Sequence, residues 1–154
     1  MSRVLTNFVA SQMIPVTNEN LLLPNTAVAE VVGYSSPVPA EDSPEWYLGL
    51  MQWRGQSIPV VSFEVFNNDA VANVAPKSRM VVFNAISSTT QFDFFAIPTQ
   101  GIPQLMRLNN KNLSLVDDDS ASNDVLHCHV VVGDEVAAIP NLDTIEAQLS
   151  EHLA

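Results

Sequence analysis

Apolar residues along this chain come in short runs, rich in Val, Ile and Phe and separated by Pro, Asn, Gly and Ser, which is the signature of an all-β protein. The pattern predicts strands near Phe8 to Val16, Leu21 to Leu23, Val28 to Tyr34, Leu48 to Trp53 and Ile58 to Phe66. It predicts further strands near Met80 to Ile86, Phe92 to Ile97, Leu113 to Val116, Val125 to Val132 and Glu135 to Ile139. Within Ile58 to Phe66, alternation sets Val61, Phe63 and Val65 on one face and Ser62 and Glu64 on the other, as in a half-buried strand. Gly133-Asp134 separates two apolar runs and predicts a two-residue hairpin, since Gly accepts the positive φ such turns demand.

Helical signals are few. Ser43-Pro44-Glu45-Trp46 predicts one or two turns, with Ser as cap and Pro at the first helical position. Asp143-Thr144-Ile145-Glu146 forms a variant capping box, after which Ile145, Leu149 and His152 or Leu153 recur at helical spacing over about 143–153. Polar loops are expected at Ser35 to Asp42, Asn67 to Pro76 and Asp117 to Asp124. With no long linker or evident repeat, the 154 residues read as a single domain.

Composition narrows the function classes. The chain is 47% hydrophobic and 15% charged, which suits a folded globule and not a disordered segment. Its net charge of -11 repels a phosphate backbone, so nucleic acid is not an expected partner. The single Cys128 has no internal disulfide partner, and a reducing compartment is expected. Met1 to Val16 holds no continuous signal-peptide core, and no run reaches the ~20 apolar residues of a membrane helix, so a soluble, cytoplasmic protein without membrane insertion is expected.

Searching for chemistry returns little. G-x-S-x-G, Walker, G-x-G-x-x-G and H-E-x-x-H motifs are absent, and the five glycines are scattered. No catalytic residue, cofactor or metal is expected. His127-Cys128-His129 puts both imidazoles on one strand face and the thiol on the other, so the three cannot share a metal; a structural strand with Cys128 packed inward is the simpler reading. Asp117-Asp118-Asp119 lacks the Gly and Glu of a calcium loop, where Ser122 and Cys128 stand, and reads as a solvated acidic loop. Arg54 is distinctive as the only basic residue between Arg3 and Lys77, set at a turn. It is either a solvated turn side chain before a Gly required by the backbone, or a guanidinium held at an apolar rim to bond a partner.

Three segments carry a family resemblance: Leu21-Leu22-Leu23-Pro24 with Val28-Ala29-Glu30-Val31-Val32-Gly33-Tyr34; Leu48-Gly49-Leu50-Met51-Gln52-Trp53-Arg54-Gly55; and Ile58-Pro59-Val60-Val61-Ser62-Phe63. In order and spacing they resemble the I-P-x-x-x-V-x-E-V, G-x-x-N-L-R-G and V-P-V-V-D-L pattern of the CheW family of chemotaxis coupling proteins. Gln52-Trp53 stands for the usual Asn-Leu and Ser62 for the usual Asp, departures that imply altered partner contacts. Phe95 to Pro103, without the family's V-D-x-V, is similar to the ChpC branch of type IV pilus chemosensory systems.

The resemblance implies two packed SH3-like five-stranded β-barrels with a short C-terminal helix. The first barrel is expected at roughly 20–75 and the second at roughly 80–140, with strand exchange from 8–16. It also implies a non-enzymatic adaptor joining a methyl-accepting chemoreceptor signalling tip to the regulatory domain of a CheA-type histidine kinase at membrane-associated arrays. Val28, Glu30, Arg54 and Met80 match receptor-contact positions, and Gly49 a kinase-coupling position whose glycine equally suits a strand bend. Rivals from other classes are a small-molecule-binding β-barrel and a generic peptide-binding module.

Overall fold

The computed structural model describes residues 9–16, 19–66, 79–85, 92–109, 111–115 and 126–153. Eleven strands form there: β1 (Val9–Val16), β2 (Glu19–Pro24), β3 (Val28–Gly33), β4 (Tyr47–Trp53), β5 (Gln56–Val61), β6 (Arg79–Asn84), β7 (Phe94–Thr99), β8 (Gln104–Leu108), β9 (Leu113–Leu115), β10 (Leu126–Val132) and β11 (Glu135–Pro140). Helices are α1 (Phe63–Phe66) and α2 (Leu142–Leu153), with one 3-10 turn at Asn25–Ala27. None is long and apolar enough to cross a membrane.

Strands sort into a five-stranded sheet, β3-β6-β7-β5-β4, and a six-stranded sheet, β8-β1-β2-β11-β10-β9. The all-β expectation of two packed units with a C-terminal helix therefore holds, but the chain is divided differently between them. β6 and β7 fall in the same sheet as β3 to β5, because β6 pairs with β3 and β7 runs parallel to β5 through Val60 and Ala96. β2 joins the C-terminal strands through parallel pairing of Leu21 with Ala138, and β1 pairs with β8. The boundary expected near residues 75–80 is thus replaced by a central segment, β3 to β7, flanked by the two parts of the other sheet.

Three apolar clusters explain this division. Met51, Trp53, Ile58, Val60, Met80, Val82 and Ala96 fill the five-stranded unit. Met13, Leu22, Leu108, Val130, Val132 and Ala137 fill the six-stranded one, with Cys128 packed inward against them. Between the sheets, Ile14, Leu21, Val81, Phe83, Phe95 and Ile97 join Ile145 and Leu149 of α2. Adjacent residues of β6 thus serve different cores, Met80 and Val82 inside the unit, Val81 and Phe83 between the sheets. A strand buried on both faces reads as a continuous apolar run with no alternation, as Met80 to Phe83 does.

Several local expectations are corrected. The strand expected at Ile58 to Phe66 ends at Val61, since the Ser62 hydroxyl accepts the Val65 N–H at 3.3 Å and caps α1. Ser43 to Trp46 forms a turn, closed by the Tyr47 N–H donating to the Pro44 carbonyl at 3.0 Å, with no helix. α2 is capped by Asn141, whose Oδ1 accepts the Thr144 N–H at 3.3 Å, two residues before the expected Asp143. β8 was not signalled: Gln104 to Leu108 is an edge strand, exposed along most of its length and lacking a clean alternation. The Gly133-Asp134 hairpin forms as expected, with Gly133 at φ +58°. The loops expected at 67–76 and 117–124, including Asp117 to Asp119, lie outside the described residues.

The end of α2 is held by an aromatic contact. His152 lies 4.8 Å from the Tyr47 ring and 5.8 Å from that of Trp46, with its Nε2 3.2 Å from the Ser43 hydroxyl. Burial pushes the Tyr47 hydroxyl above its ordinary pKa of 10.0, because the phenolate is poorly solvated there. The folded state favours the neutral phenol, a preference without effect well below pH 10.0 and increasingly destabilising as the pH rises through and beyond it. Thermal melts between about pH 8 and 11 are expected to fall at the alkaline end, and Tyr47→Phe to flatten that fall.

Candidate functional site

Arg54 and Gly55 form a two-residue hairpin between β4 and β5, with φ of +49° and +79° and Trp53 facing Gln56. Positive φ at both positions makes this the mirror-image turn whose twist matches its strands. Gly55 takes that geometry freely, while Arg54 holds it at a steric cost. The turn projects the guanidinium outward, with 64% of the side chain exposed.

Glu30 meets it from the other edge of the same sheet. A register shift between Val28 and Glu30 in β3 marks a bulge that re-aims the side chain. One carboxylate oxygen, Oε1, accepts the Trp53 indole N–H at 3.0 Å and the Arg54 Nε–H at 3.2 Å, with Arg54 Nη2 at 3.1 Å. The guanidinium carbon also lies 4.8 Å from the centre of the Trp53 ring, and Phe94 packs against that ring at 4.7 Å. Since β3 and β4 are the two edge strands of the five-stranded sheet, the Trp53–Glu30 bond links edge to edge and helps close the sheet on itself.

Magnitudes separate the two links. Arg54 and Glu30 are 64% and 39% exposed, so their ion pair contributes no more than about 1 kcal/mol. The indole N–H bond to a carboxylate is charge-assisted and half-buried, a class worth about 1.5–3 kcal/mol.

The remaining expected positions fall unevenly. Val28 is half-buried and packs against the inter-sheet core. Met80 is fully buried inside the five-stranded unit at 0% exposure, so it supports the rim from beneath and offers a partner no surface. Of the departures from the family pattern, Ser62 is buried and caps α1 and Trp53 is buried at the rim, whereas Gln52 is exposed. Gly49 has φ +123°, and a β-carbon there would overlap the Val38 carbonyl oxygen. That glycine lets the 35–39 segment lie against β4, where Val38 and Leu50 exchange backbone hydrogen bonds at 2.8 and 3.1 Å. Val38 and Leu50 themselves are 72% and 40% exposed, an apolar pair on the outer face of the five-stranded unit.

A cleft of about 390 Å³ opens where the two sheets meet, lined by Leu23, Pro24, Ala27, Asn84, Ile139 and Leu142 among others. Glu30, Trp53 and Arg54 do not line it; the connection to them runs through the five-stranded sheet, where Asn84 of the cleft wall pairs with Phe94, the ring that packs on Trp53. A second cleft, of about 320 Å³, lies at the mouth of the six-stranded unit between Val9, Leu22, Leu108 and Leu113. His129 Nε2 is 2.8 Å from Glu19 Oε1, on the face opposite Cys128. Among the described residues no group of three or more His, Cys, Asp or Glu could hold a metal. The His127 side chain lies outside them.

The Trp53–Glu30 link, the Val38 bridge and the Asn84 wall were not foreseen. Alternation along Tyr47, Gly49, Met51 and Trp53 does signal that Trp53 points inward, but its partner 23 positions away in sequence depends on closure of the sheet.

Comparison with known proteins agrees with this architecture. In fold, the chain is similar to the scaffolding protein TtCheW from Thermoanaerobacter tengcongensis, with a TM-score of 0.73 over 92% of this chain and 90% of that one, at 14% identity. No curated protein matches the sequence. The family model of the CheW-like domain matches residues 12–148, nearly the whole chain with both sheets and most of α2. The chain belongs to the CheW-like domain family.

Proposed function

We propose that this protein is a chemosensory adaptor that couples a methyl-accepting chemoreceptor to a CheA-type histidine kinase on the cytoplasmic side of a receptor array, acting by association without bond-making. The observation that carries the reading is the Glu30–Trp53–Arg54 cluster, an organised polar rim that links the two edges of the five-stranded sheet. On this reading a receptor hairpin tip enters the apolar cleft between the two sheets. Apolar contact supplies the affinity, while Glu30 and Arg54 fix the register by charge-assisted hydrogen bonds. Val28 contributes from the same strand as Glu30, while Met80 shares the buried cluster of Trp53 beneath the rim.

The kinase regulatory domain docks on the five-stranded unit, where Val38 and Leu50 provide exposed apolar surface and Gly49 holds their backbones together. Signal transfer requires that the adaptor contact receptor and kinase differently in the two kinase states. Twitching motility as the output rests on the similarity of Phe95 to Pro103 to the pilus-associated branch.

Arg54→Glu tests the receptor side. The substitution reverses the charge of a side chain that is 64% exposed, so unfolding free energy is expected to fall by no more than about 1 kcal/mol. Affinity for a receptor signalling fragment is expected to fall about tenfold or more, with kinase affinity little changed. Parallel losses in receptor pull-down and melting temperature would assign Arg54 a structural role only.

A further inference from the structure

We infer that Trp53 is a positioning residue that sets Arg54 in advance for an acceptor oxygen on the receptor tip, an inference that rests on the adaptor reading above. The residue usual at this place in the family is Leu, which has neither an N–H nor a π face. Here the indole does two things at once. Its N–H fixes Glu30 Oε1 at 3.0 Å, and its ring lies under the guanidinium at 4.8 Å. Phe94, 4.7 Å away, holds the indole in turn.

A turn arginine this exposed normally samples many rotamers, and ordering a long side chain on binding costs about 0.5–1.5 kcal/mol. In this protein that ordering has largely been done before the partner arrives. Glu30 Oε1 engages Arg54 Nε and Nη2, so one edge of the fork is committed inward. Nη1, on the other edge, has no partner among the described residues and faces out with the exposed head group. A planar guanidinium fixed on one edge presents its free edge in a defined direction, which suits an oxygen acceptor, a backbone carbonyl or a carboxylate, at one place on the partner.

A double-mutant cycle on the full chain separates positioning from simple support of the barrel. Wild type, Trp53→Leu, Trp53→Phe, Arg54→Met and the two double variants are titrated with a purified signalling-hairpin fragment of a chemoreceptor from the same genome, and separately with its kinase regulatory domain. Trp53→Leu is expected to weaken receptor binding by about tenfold in the presence of Arg54 and by less than about twofold in the Arg54→Met background, with kinase affinity unchanged. Trp53→Phe keeps a ring beneath the guanidinium but loses the N–H and part of the buried ring, and is expected to fall between, at about threefold. Equal losses in both Arg54 backgrounds, or equal losses for both partners, would overturn the inference and leave Trp53 as a structural residue, with the adaptor reading intact. Should Trp53→Leu not fold, the same criteria apply to Trp53→Phe, which keeps an aromatic ring in the core. A folded wild-type protein that binds no receptor fragment would overturn the adaptor reading itself.

Discussion

Gly49→Ala is expected to destabilise the protein by about 3–5 kcal/mol, large for the addition of one methyl group. The backbone at φ +123° lies where side-chain-bearing residues are strained, and the new β-carbon would overlap the Val38 carbonyl oxygen. Because that obstacle is backbone, no rotamer change relieves it. The 35–39 segment must move off β4, and the hydrogen bonds exchanged by Val38 and Leu50 are lost with it. Urea unfolding of wild type and variant measures the cost. Gly33→Ala is the control, since nothing lies within 4 Å of a β-carbon there, and its effect is expected within about 0.5 kcal/mol. A Gly49→Ala cost below about 1 kcal/mol would show that the segment is not held as described. A cost in the expected range would support the proposed kinase-coupling role of this position, because the displaced backbone carries the exposed Val38 and Leu50 side chains.

Phe95→Ala is expected to cost a comparable amount, about 3–5 kcal/mol, through a different mechanism. Phe95 is fully buried, stacks on Phe83 with ring centroids 5.3 Å apart and meets Phe92 edge-on at 6.1 Å. It belongs to the cluster that joins the two sheets and α2, so truncation opens a cavity at their junction. A melting-temperature loss on the order of 10 °C follows for a chain of this size. Receptor and kinase binding should decline together with folding, in contrast to Arg54→Glu. A drop of only one or two degrees would mean that the sheets are held together mainly elsewhere.

Comparing these positions shows what the sequence could convey. Most strands were legible because they are short, β-branched and bounded by turn residues, and Gly133-Asp134 announced its hairpin through the conformation only Gly adopts easily. Membership of the sheets was not legible. It depends on pairings between residues far apart in the chain, β3 with β6 and β1 with β8 together with the parallel contacts of Leu21 with Ala138 and Val60 with Ala96, which leave no local mark. β8 stayed hidden because an edge strand needs little alternation, and α1 because Ser62 ends β5 by a side-chain bond to the Val65 N–H.

The site was readable in part for the same reason. Arg54 could be picked out as an isolated cation at a turn, and the resemblance connected it with Glu30. What the charge pattern did not reveal is that the two side chains are already paired, through an oxygen they share with Trp53. Met80, marked by the resemblance as a contact, is enclosed by the five-stranded unit because β6 is buried on both faces. The departures at positions 53 and 62 likewise turned inward, one to a carboxylate and the other to a helix N-terminus.

The central claim is that one folded chain joins two partners through different faces. Sedimentation of the purified protein with a receptor signalling fragment and a kinase regulatory domain from the same genome tests it most directly. The adaptor account predicts a ternary complex, in which Arg54→Glu releases the receptor fragment while the kinase domain stays bound. Mutually exclusive binding of the two partners, or no binding of either by a demonstrably folded protein, would contradict it.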